Sequence, residues 1–251
     1  MLLPLESGSW EPWSRSQRFD QDNPSKTTQD GNDRGVKLVN YLAHLHLSDG
    51  SPESMIGNLL GDFRKGLCEA QYSPAIRQGI VLHQQVDIFT DTHAIVRRSK
   101  QRMSPKFRRF AGIMLDVLYD HFLSKHWADY SQESLREFVD RAYDILLTHQ
   151  AILPPLLQRA VPVMVDQDWL YSYRDLAGVD LTLRRIARRF KRETPLAQAI
   201  EELQHHYPAL EADFQAFFPI LVQWVREQSS GIQPNPPEFP PESSTDNVHL
   251  S

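Results

Sequence analysis

Apolar residues recur every three or four positions through the middle of the chain, which is the period of a helix with one buried face. Strand-like alternation is limited to residues 41–47, where the Ala and Leu content favours helix instead. We therefore predict an all-α fold, with a single helical domain at 39–227.

Capping residues predict where several helices begin. Ser51 followed by Pro52 is a favourable start, because Ser accepts a bond from a first-turn amide and Pro is tolerated there. Pro74 opens a second helix, and a third is expected from about Pro105. Further helices are expected at 132–149, 156–165, 168–191 and 195–227, the last interrupted near Pro208 and Pro219.

Both ends of the chain lack this apolar period. Residues 1–38 mix Pro, Ser, Asp, Asn and Gly, and residues 228–251 hold five prolines among Ser and acidic residues. Such compositions bury too little apolar surface to offset the entropy cost of ordering. We predict disordered tails at 1–38 and 228–251.

Charge and cysteine content narrow the function classes. Lys and Arg number 27 against 32 Asp and Glu, so the net charge of −5 argues against a nucleic-acid partner. The single Cys68 excludes disulfides and thiolate clusters, so any metal must be held by His and carboxylates. No apolar run reaches the roughly 20 residues of a membrane helix. We therefore expect a soluble, cytoplasmic protein. The sequence has no P-loop, dinucleotide-binding or serine-hydrolase motif.

Polar residues stand in line with apolar helix faces at three places. Burying such groups without partners is costly, and a shared divalent cation would satisfy several of them at once. His and carboxylate ligands suit Mn²⁺, Fe²⁺ or Mg²⁺ better than a structural zinc. The pairs, each four residues apart, are Asn58 with Asp62, His83 with Asp87, and Asp116 with Asp120.

Each pair also has a purely structural interpretation. The Asn–Asp pair could form a local helix hydrogen bond, and His83 could be a core histidine bound to a backbone carbonyl. Asp116 and Asp120 could pair with an arginine of another helix, such as Arg77 or Arg174. From the pattern alone, the metal and the structural interpretations both stay open.

Two basic clusters stand out against the acidic net charge, at Arg97–Arg109 and Arg184–Arg192. They indicate either solvated helix surfaces or a docking face for an acidic partner or a phosphate-bearing substrate, since guanidinium groups bind phosphate and carboxylate bidentately.

Four motifs in consistent order resemble the acyl carrier protein phosphodiesterase family. They lie at Asn40–Leu47, Gly57–Phe63, Leu82–Asp87 and Leu115–Leu123, and the resemblance extends over about 39–225. In that family an initiator Met precedes the first Asn, whereas this chain has Val39. We therefore expect residues 1–38 to be an extension from an upstream start.

The resemblance implies an all-helical fold distantly similar to the HD-domain metal phosphohydrolases. It implies cleavage of the phosphodiester between 4'-phosphopantetheine and a serine of acidic acyl carrier protein, with a divalent cofactor of the Mn²⁺ type. The alternatives are a metal phosphohydrolase acting on a nucleotide or other small phosphoester, and a non-enzymatic helical module that binds an acidic protein.

Residue roles follow from combining the resemblance with the pattern. His44 and His46 lie on different helix faces, so at most one is expected to face the site. An adjacent His-Asp doublet is missing, which leaves the exact ligand roles open. Asp62 is expected to be essential, and Asp87 or His121 to protonate the leaving serine. The expected metal ligands are His44 or His46, Asp62, His83, Asp116 and Asp120, and the expected docking residues are Arg97, Arg98 and Arg102.

Overall fold

Ten α-helices account for most of the chain in a computed structural model that describes residues 40–63 and 67–229. No strand occurs within those ranges, so the all-α prediction is confirmed. The helices are α1 (Tyr41–His46), α2 (Pro52–Leu60), α3 (Pro74–Thr92), α4 (Ala94–Arg102), α5 (Ala111–Lys125), α6 (Leu135–Thr148), α7 (Pro155–Asp166), α8 (Trp169–Ser172), α9 (Leu176–Ala187) and α10 (Ala199–Ser229). Short 3₁₀ turns lie at Gly61–Phe63, Glu69–Gln71, Arg108–Phe110, Trp127–Asp129, Gln150–Ile152 and Pro195–Gln198.

The predicted helix starts have the expected chemistry. The Ser51 hydroxyl accepts a hydrogen bond from the Ser54 amide at 3.2 Å, and Pro52 occupies the first turn of α2. The Ser73 hydroxyl accepts from the Ile76 amide at 3.3 Å before α3. These side chains satisfy amides that a helix leaves without internal acceptors.

Other boundaries differ from the prediction. Residues 94–102 form α4, which the basic composition of that segment did not reveal. The third predicted helix begins at Ala111 rather than near Pro105. The span 168–191 is divided into α8 and α9. The chain folds back tightly between them, and Gly178 permits this because a Cβ there would collide with the Ser172 carbonyl.

The predicted interruptions of the last helix are wrong. Helix α10 continues through both Pro208 and Pro219. Each proline removes the bond to the carbonyl four residues earlier, on Gln204 and Gln215, and both of those residues are exposed so that water can satisfy the oxygen. The opposite face of the helix is buried and holds it against the core.

Helix α5 lies at the centre of the core and contacts α1, α4, α9 and α10. Most of its side chains are buried, which makes it a rigid support for whatever it carries. The largest buried side chains opposite it come from α10 and include Phe214, Phe217 and Phe218.

The described residues belong to one compact unit. Helix α10 extends to Ser229 and so includes the first two residues of the predicted C-terminal tail. The rest of that tail, the predicted N-terminal tail and Val39 lie outside the described residues. None of the helices within 40–63 and 67–229 combines the length and apolar character that crossing a bilayer requires.

Candidate metal centre

Four predicted side chains converge where α1, the turn after α2 and α3 meet. Ligand atoms of His44, His83 and Asp87 all lie within 4.8 Å of one another. The His83 Nε2 atom is 3.4 Å from Asp62 Oδ1 and 3.7 Å from Asp87 Oδ2. The His44 Nε2 atom is 3.3 Å from Asp87 Oδ1. The arrangement brings two imidazoles and two carboxylates together.

Glycines allow α2 and α3 to approach closely enough for this arrangement. A Cβ on Gly57 would collide with the Ile76 carbonyl and with the Gly79 backbone. A Cβ on Gly61 would overlap the His83 ring. Larger side chains at these positions would push α3 away from α2, so the site geometry depends on their small size.

The tautomer of His83 follows from one hydrogen bond. Its Nδ1 atom lies 2.7 Å from the Asn58 carbonyl oxygen, which can only accept, so Nδ1 donates. In the neutral ring, which is the form that binds a metal, the lone pair of Nε2 therefore points toward Asp62 and Asp87. The carbonyl contact of a core histidine is thus present, but it uses only the nitrogen that faces away from the carboxylates, as in many metal-bound histidines.

The Asn58 side chain does not make the local bond to Asp62 that the structural interpretation required. Its amide group donates to the Ser54 carbonyl at 3.1 Å. The Asn58 side-chain oxygen has no hydrogen-bond partner in the part of the chain that the structure describes.

The two imidazoles stack with ring centroids 3.8 Å apart and planes at 19°. Burial lowers the pKa of His44, and the charge of a protonated His83 lowers it further. Burial also opposes protonation of His83, but the hydrogen bond and negative charge of Asp62 outweigh it and raise its pKa. Of the two rings, His83 is therefore the one that takes up an additional proton and a positive charge, and His44 stays neutral.

Several buried polar atoms of the cluster lack hydrogen bonds. Within the described residues, this holds for both ring nitrogens of His44 and for Oδ2 of Asp62. His44, His83 and the Asp62 carboxylate are at most 4% exposed, so water does not readily satisfy them. Oxygen and imidazole donors left this way fit a divalent cation.

The carboxylates on α5 lie outside this group of ligand atoms. Asp120 accepts hydrogen bonds from the Leu42 amide at 3.0 Å and the Ala43 amide at 2.9 Å. Burial raises the pKa of Asp120 to about 8, the two amide bonds oppose the rise, and the charge of Asp116 adds to it. Their role as ligands stays a prediction.

The arginines considered as partners of those carboxylates bond elsewhere. Arg77 donates to the Tyr72 carbonyl at 3.1 Å. Arg174 pairs with Asp175 at 3.0 Å and donates to the Tyr171 hydroxyl.

His46 and His121 also lie apart from the cluster. His46 packs edge-on against Trp127 at 5.0 Å between ring centroids, and burial lowers its pKa to about 4. His121 directs Nδ1 to the Tyr173 carbonyl at 2.7 Å and Nε2 to the Tyr207 hydroxyl at 2.8 Å. Of the two histidines of α1, the structure brings only His44 to the cluster.

The predicted docking arginines fall into two kinds. Arg98 and Arg102 converge on the buried carboxylate of Asp213, at 2.5 Å and 2.9 Å, and Ser99 donates to it at 2.8 Å. Arg97 is exposed on the same helix and forms no ion pair with any described residue.

Tyr41 and Arg189 were not predicted as site residues. The Tyr41 hydroxyl is buried and has no hydrogen-bond partner among the described residues. Burial raises the pKa of Tyr41, the charge of Asp62 raises it further, and the charge of Arg189 lowers it. No carboxylate in the described ranges pairs with Arg189, and burial lowers its pKa. Both residues lay within segments already noted, but nothing in the sequence relates them to Asp62.

Comparison with known proteins gives a consistent result. A sequence profile described as "Acyl carrier protein phosphodiesterase" matches residues 39–221. No solved structure matches the chain, so the likeness to HD-domain proteins stays a prediction.

Curated relatives with the name acyl carrier protein phosphodiesterase match over nearly their whole length. The protein from Yersinia enterocolitica is 36% identical over 191 residues, covering 76% of this chain and 99% of the relative. The protein from Serratia proteamaculans has the same identity and the same coverage of both chains. The protein from Escherichia coli O139:H28 is 37% identical over 185 residues, covering 73% and 96%.

Proposed function

The chain belongs to the acyl carrier protein phosphodiesterase family, and from this premise we propose that it hydrolyses the phosphodiester linking 4'-phosphopantetheine to a serine of holo acyl carrier protein. The products would be the apo carrier and free 4'-phosphopantetheine. The observation that carries the proposal is the buried His44–His83–Asp62–Asp87 cluster, with polar atoms that make no hydrogen bond among the described residues.

We assign the binding of one divalent cation, most simply Mn²⁺ with Mg²⁺ or Fe²⁺ as alternatives, to this cluster. His44 and His83 would each provide Nε2, and Asp62 and Asp87 would each provide a carboxylate oxygen. A bound ion supplies Lewis-acid polarisation of the phosphodiester and of the attacking water. Neutral His44 suits this role because a protonated imidazole cannot bind a cation.

Asp87 is the accessible member of the cluster. Its side chain is 30% exposed, whereas the Asp62 side chain is 4% exposed. Substrate would therefore approach past Asp87. Because a carboxylate bound to the cation is ionised, Asp87 would use its unbound oxygen to relay to the leaving serine oxygen the proton that the attacking water gives up. We favour it over His121 in this role. Both nitrogens of His121 are bonded to tyrosine groups away from the cluster, which leaves it without a free nitrogen for this step.

Arg189 is the arginine that we assign to the phosphoryl oxygens. Its charge acts on Tyr41, whose buried hydroxyl also senses Asp62. A guanidinium that pairs with no described carboxylate, and whose charge acts on a buried hydroxyl without a partner, suits an anionic group. The two side chains would offset the negative charge that develops on phosphorus oxygens during the reaction.

Docking of the acidic carrier protein is assigned to the α4 surface, with Arg97, Arg98 and Arg102 as predicted. Arg97 is the strongest of the three, because the charges of Arg98 and Arg102 are already partly neutralised by Asp213.

The test is incubation with holo acyl carrier protein and Mn²⁺, with and without chelator, followed by measurement of carrier mass. We expect loss of the phosphopantetheine mass, abolished by chelator and by Asp62→Ala. Asp91→Ala is the matched control, since Asp91 is an exposed aspartate one turn beyond Asp87 on α3. Hydrolysis of bis(p-nitrophenyl) phosphate without any change in carrier mass would favour a small phosphoester substrate. Neither reaction, with no metal bound, would favour the non-enzymatic module.

A further inference from the structure

We propose that Asp120 is a positioning residue that caps helix α1 from the core helix α5 and thereby fixes His44 over Asp87. This role differs from the ligand role expected for Asp120 from the sequence. The cap itself does not depend on the proposed function, whereas its effect on metal affinity rests on that function.

Helix α1 cannot hold itself in place. It has six residues, and helices this short are marginal in water without support from outside. Asn40, at its N-cap position, adopts φ 63° and makes no side-chain capping bond. The first-turn amides of α1 therefore need acceptors from elsewhere in the protein.

Asp120, which lies 78 positions after Leu42 in the sequence, provides those acceptors. Its Oδ2 atom accepts from the Leu42 amide at 3.0 Å and its Oδ1 atom from the Ala43 amide at 2.9 Å. The residue is completely buried, so water cannot take its place. Both carboxylate oxygens are thus engaged in holding α1.

The position of α1 sets the position of His44, the residue that follows Ala43. Neither nitrogen of His44 forms a hydrogen bond within the described residues, so bonds from its own side chain do not fix the ring. The ring is held by its stack on His83, by the approach of its Nε2 atom to Asp87, and by the backbone of α1. Moving α1 would change the 3.3 Å separation between His44 Nε2 and Asp87 Oδ1.

The first measurement uses the metal-free protein and two variants, Asp120→Ala and Asp120→Asn. Amide exchange at Leu42 and Ala43, followed by NMR, should become about 5- to 30-fold faster in the Ala variant, as expected for loss of a helix cap. The Asn variant keeps one acceptor and should lie between the wild type and the Ala variant. If the Ala variant does not fold, the Asn variant alone gives the comparison. Unchanged exchange at both amides would overturn the proposal.

The second measurement is the affinity for Mn²⁺. Asp120→Ala should weaken it by roughly 10- to 100-fold, the effect of losing a group that orients a ligand, and Asp120→Asn should recover part of it. The control is Asp213→Asn, which alters another buried aspartate and should lower stability without changing Mn²⁺ affinity.

The two measurements together separate the possible roles. If Asp120→Asn abolishes Mn²⁺ binding as fully as His83→Ala does, Asp120 is a ligand and the positioning role is wrong. If Asp120→Ala changes Mn²⁺ affinity no more than Asp213→Asn does, the cap has only a structural role and the proposal is also wrong. If the wild type binds no metal, the proposed function fails. The exchange data and the imidazole ¹⁵N shifts of His44 in the variants then decide the proposal, and unchanged shifts would overturn it.

Discussion

Two buried polar sites in this protein differ in whether internal partners satisfy their polar groups. At Asp213, one carboxylate is met by Arg98, Arg102 and Ser99, so the protein itself satisfies the buried charge. At the His44–His83 cluster, carboxylates meet imidazoles that carry at most one positive charge between them, and several buried atoms lack hydrogen bonds among the described residues.

The contrast indicates which site is built for folding and which for chemistry. A buried carboxylate with internal counterions contributes to stability and has little left to offer a ligand. A buried cluster in which several atoms lack hydrogen bonds is costly to stability, and such clusters are typical of functional sites. Variants at the two sites should therefore affect different observables.

Asp62→Ala should show the largest difference between a variant's effect on activity and its effect on stability. We expect kcat/KM for holo carrier protein to fall by more than about 100-fold, because removal of a ligand should exceed the cost of losing a supporting group. Stability should change by less than about 1 kcal/mol, because loss of the contact between Asp62 Oδ1 and His83 is offset by removal of the buried Oδ2 atom, which has no hydrogen bond in the described ranges. Steady-state kinetics and urea unfolding of the same preparation test both parts. A large loss of stability with activity retained would reverse the assignment of the two sites.

A variant of Arg189 tests the catalytic half of this comparison. Arg189→Ala should lower kcat by about 100- to 1,000-fold, the range for loss of one group that stabilises transition-state charge. Arg184→Ala serves as the matched control, because Arg184 is a solvent-accessible arginine of α9 whose charge pairs with Asp180. Equal effects of the two variants on kcat would contradict the role given to Arg189.

Asp213→Asn should act on stability. We expect a loss of roughly 1–3 kcal/mol in the free energy of unfolding, because the variant removes a buried, hydrogen-bonded charge. The loss should be no larger, because water can still reach Arg98 and Arg102. The kcat per folded molecule should be unchanged. Urea denaturation monitored by circular dichroism gives the value.

The same variant tests the pH dependence. Burial alone would raise the pKa of Asp213, but hydrogen bonds from Arg102, Arg98 and Ser99 outweigh it and lower the pKa below the ordinary 3.8. The stabilisation is therefore complete above pH 3.8 and is lost as pH falls through the lower native value. The wild type should lose this contribution below pH 3.8, and Asp213→Asn should lack that part of the slope. A parallel pH profile for the two proteins would contradict the assignment.

The smallest effect is expected at the docking surface. Arg97→Ala should raise KM for the carrier protein a few-fold with kcat unchanged, and added salt should reduce the difference because exposed charges are screened. Kinetics at two ionic strengths measure this. An Arg97 variant with normal KM at low salt would remove Arg97 from the docking surface.

Helical periodicity and caps were sufficient to predict the all-α fold and the starts of α2 and α3, because those signals are local in sequence. The spacing of His83 and Asp87 placed both on one face of α3 for the same reason. The continuation of α10 through two prolines was missed, because it depends on which face of that helix is exposed.

The rest of the candidate site depends on contacts between distant segments. Asp120 looked like a ligand because its spacing from Asp116 places it on an apolar helix face, but the amides that it binds belong to residues 42 and 43. Arg98 and Arg102 looked like surface charge because Asp213 lies more than 100 positions away. Local spacing identifies which residues share a helix face but not what that face meets.

The most direct test of the central claim is a calorimetric titration of Mn²⁺ into the metal-free wild type, His83→Ala and Asp213→Asn. The account predicts a single site in the wild type, the same affinity in Asp213→Asn, and no binding in His83→Ala. No binding by the wild type, or equal binding by His83→Ala, would contradict the assignment of the His44–His83 cluster as the metal centre.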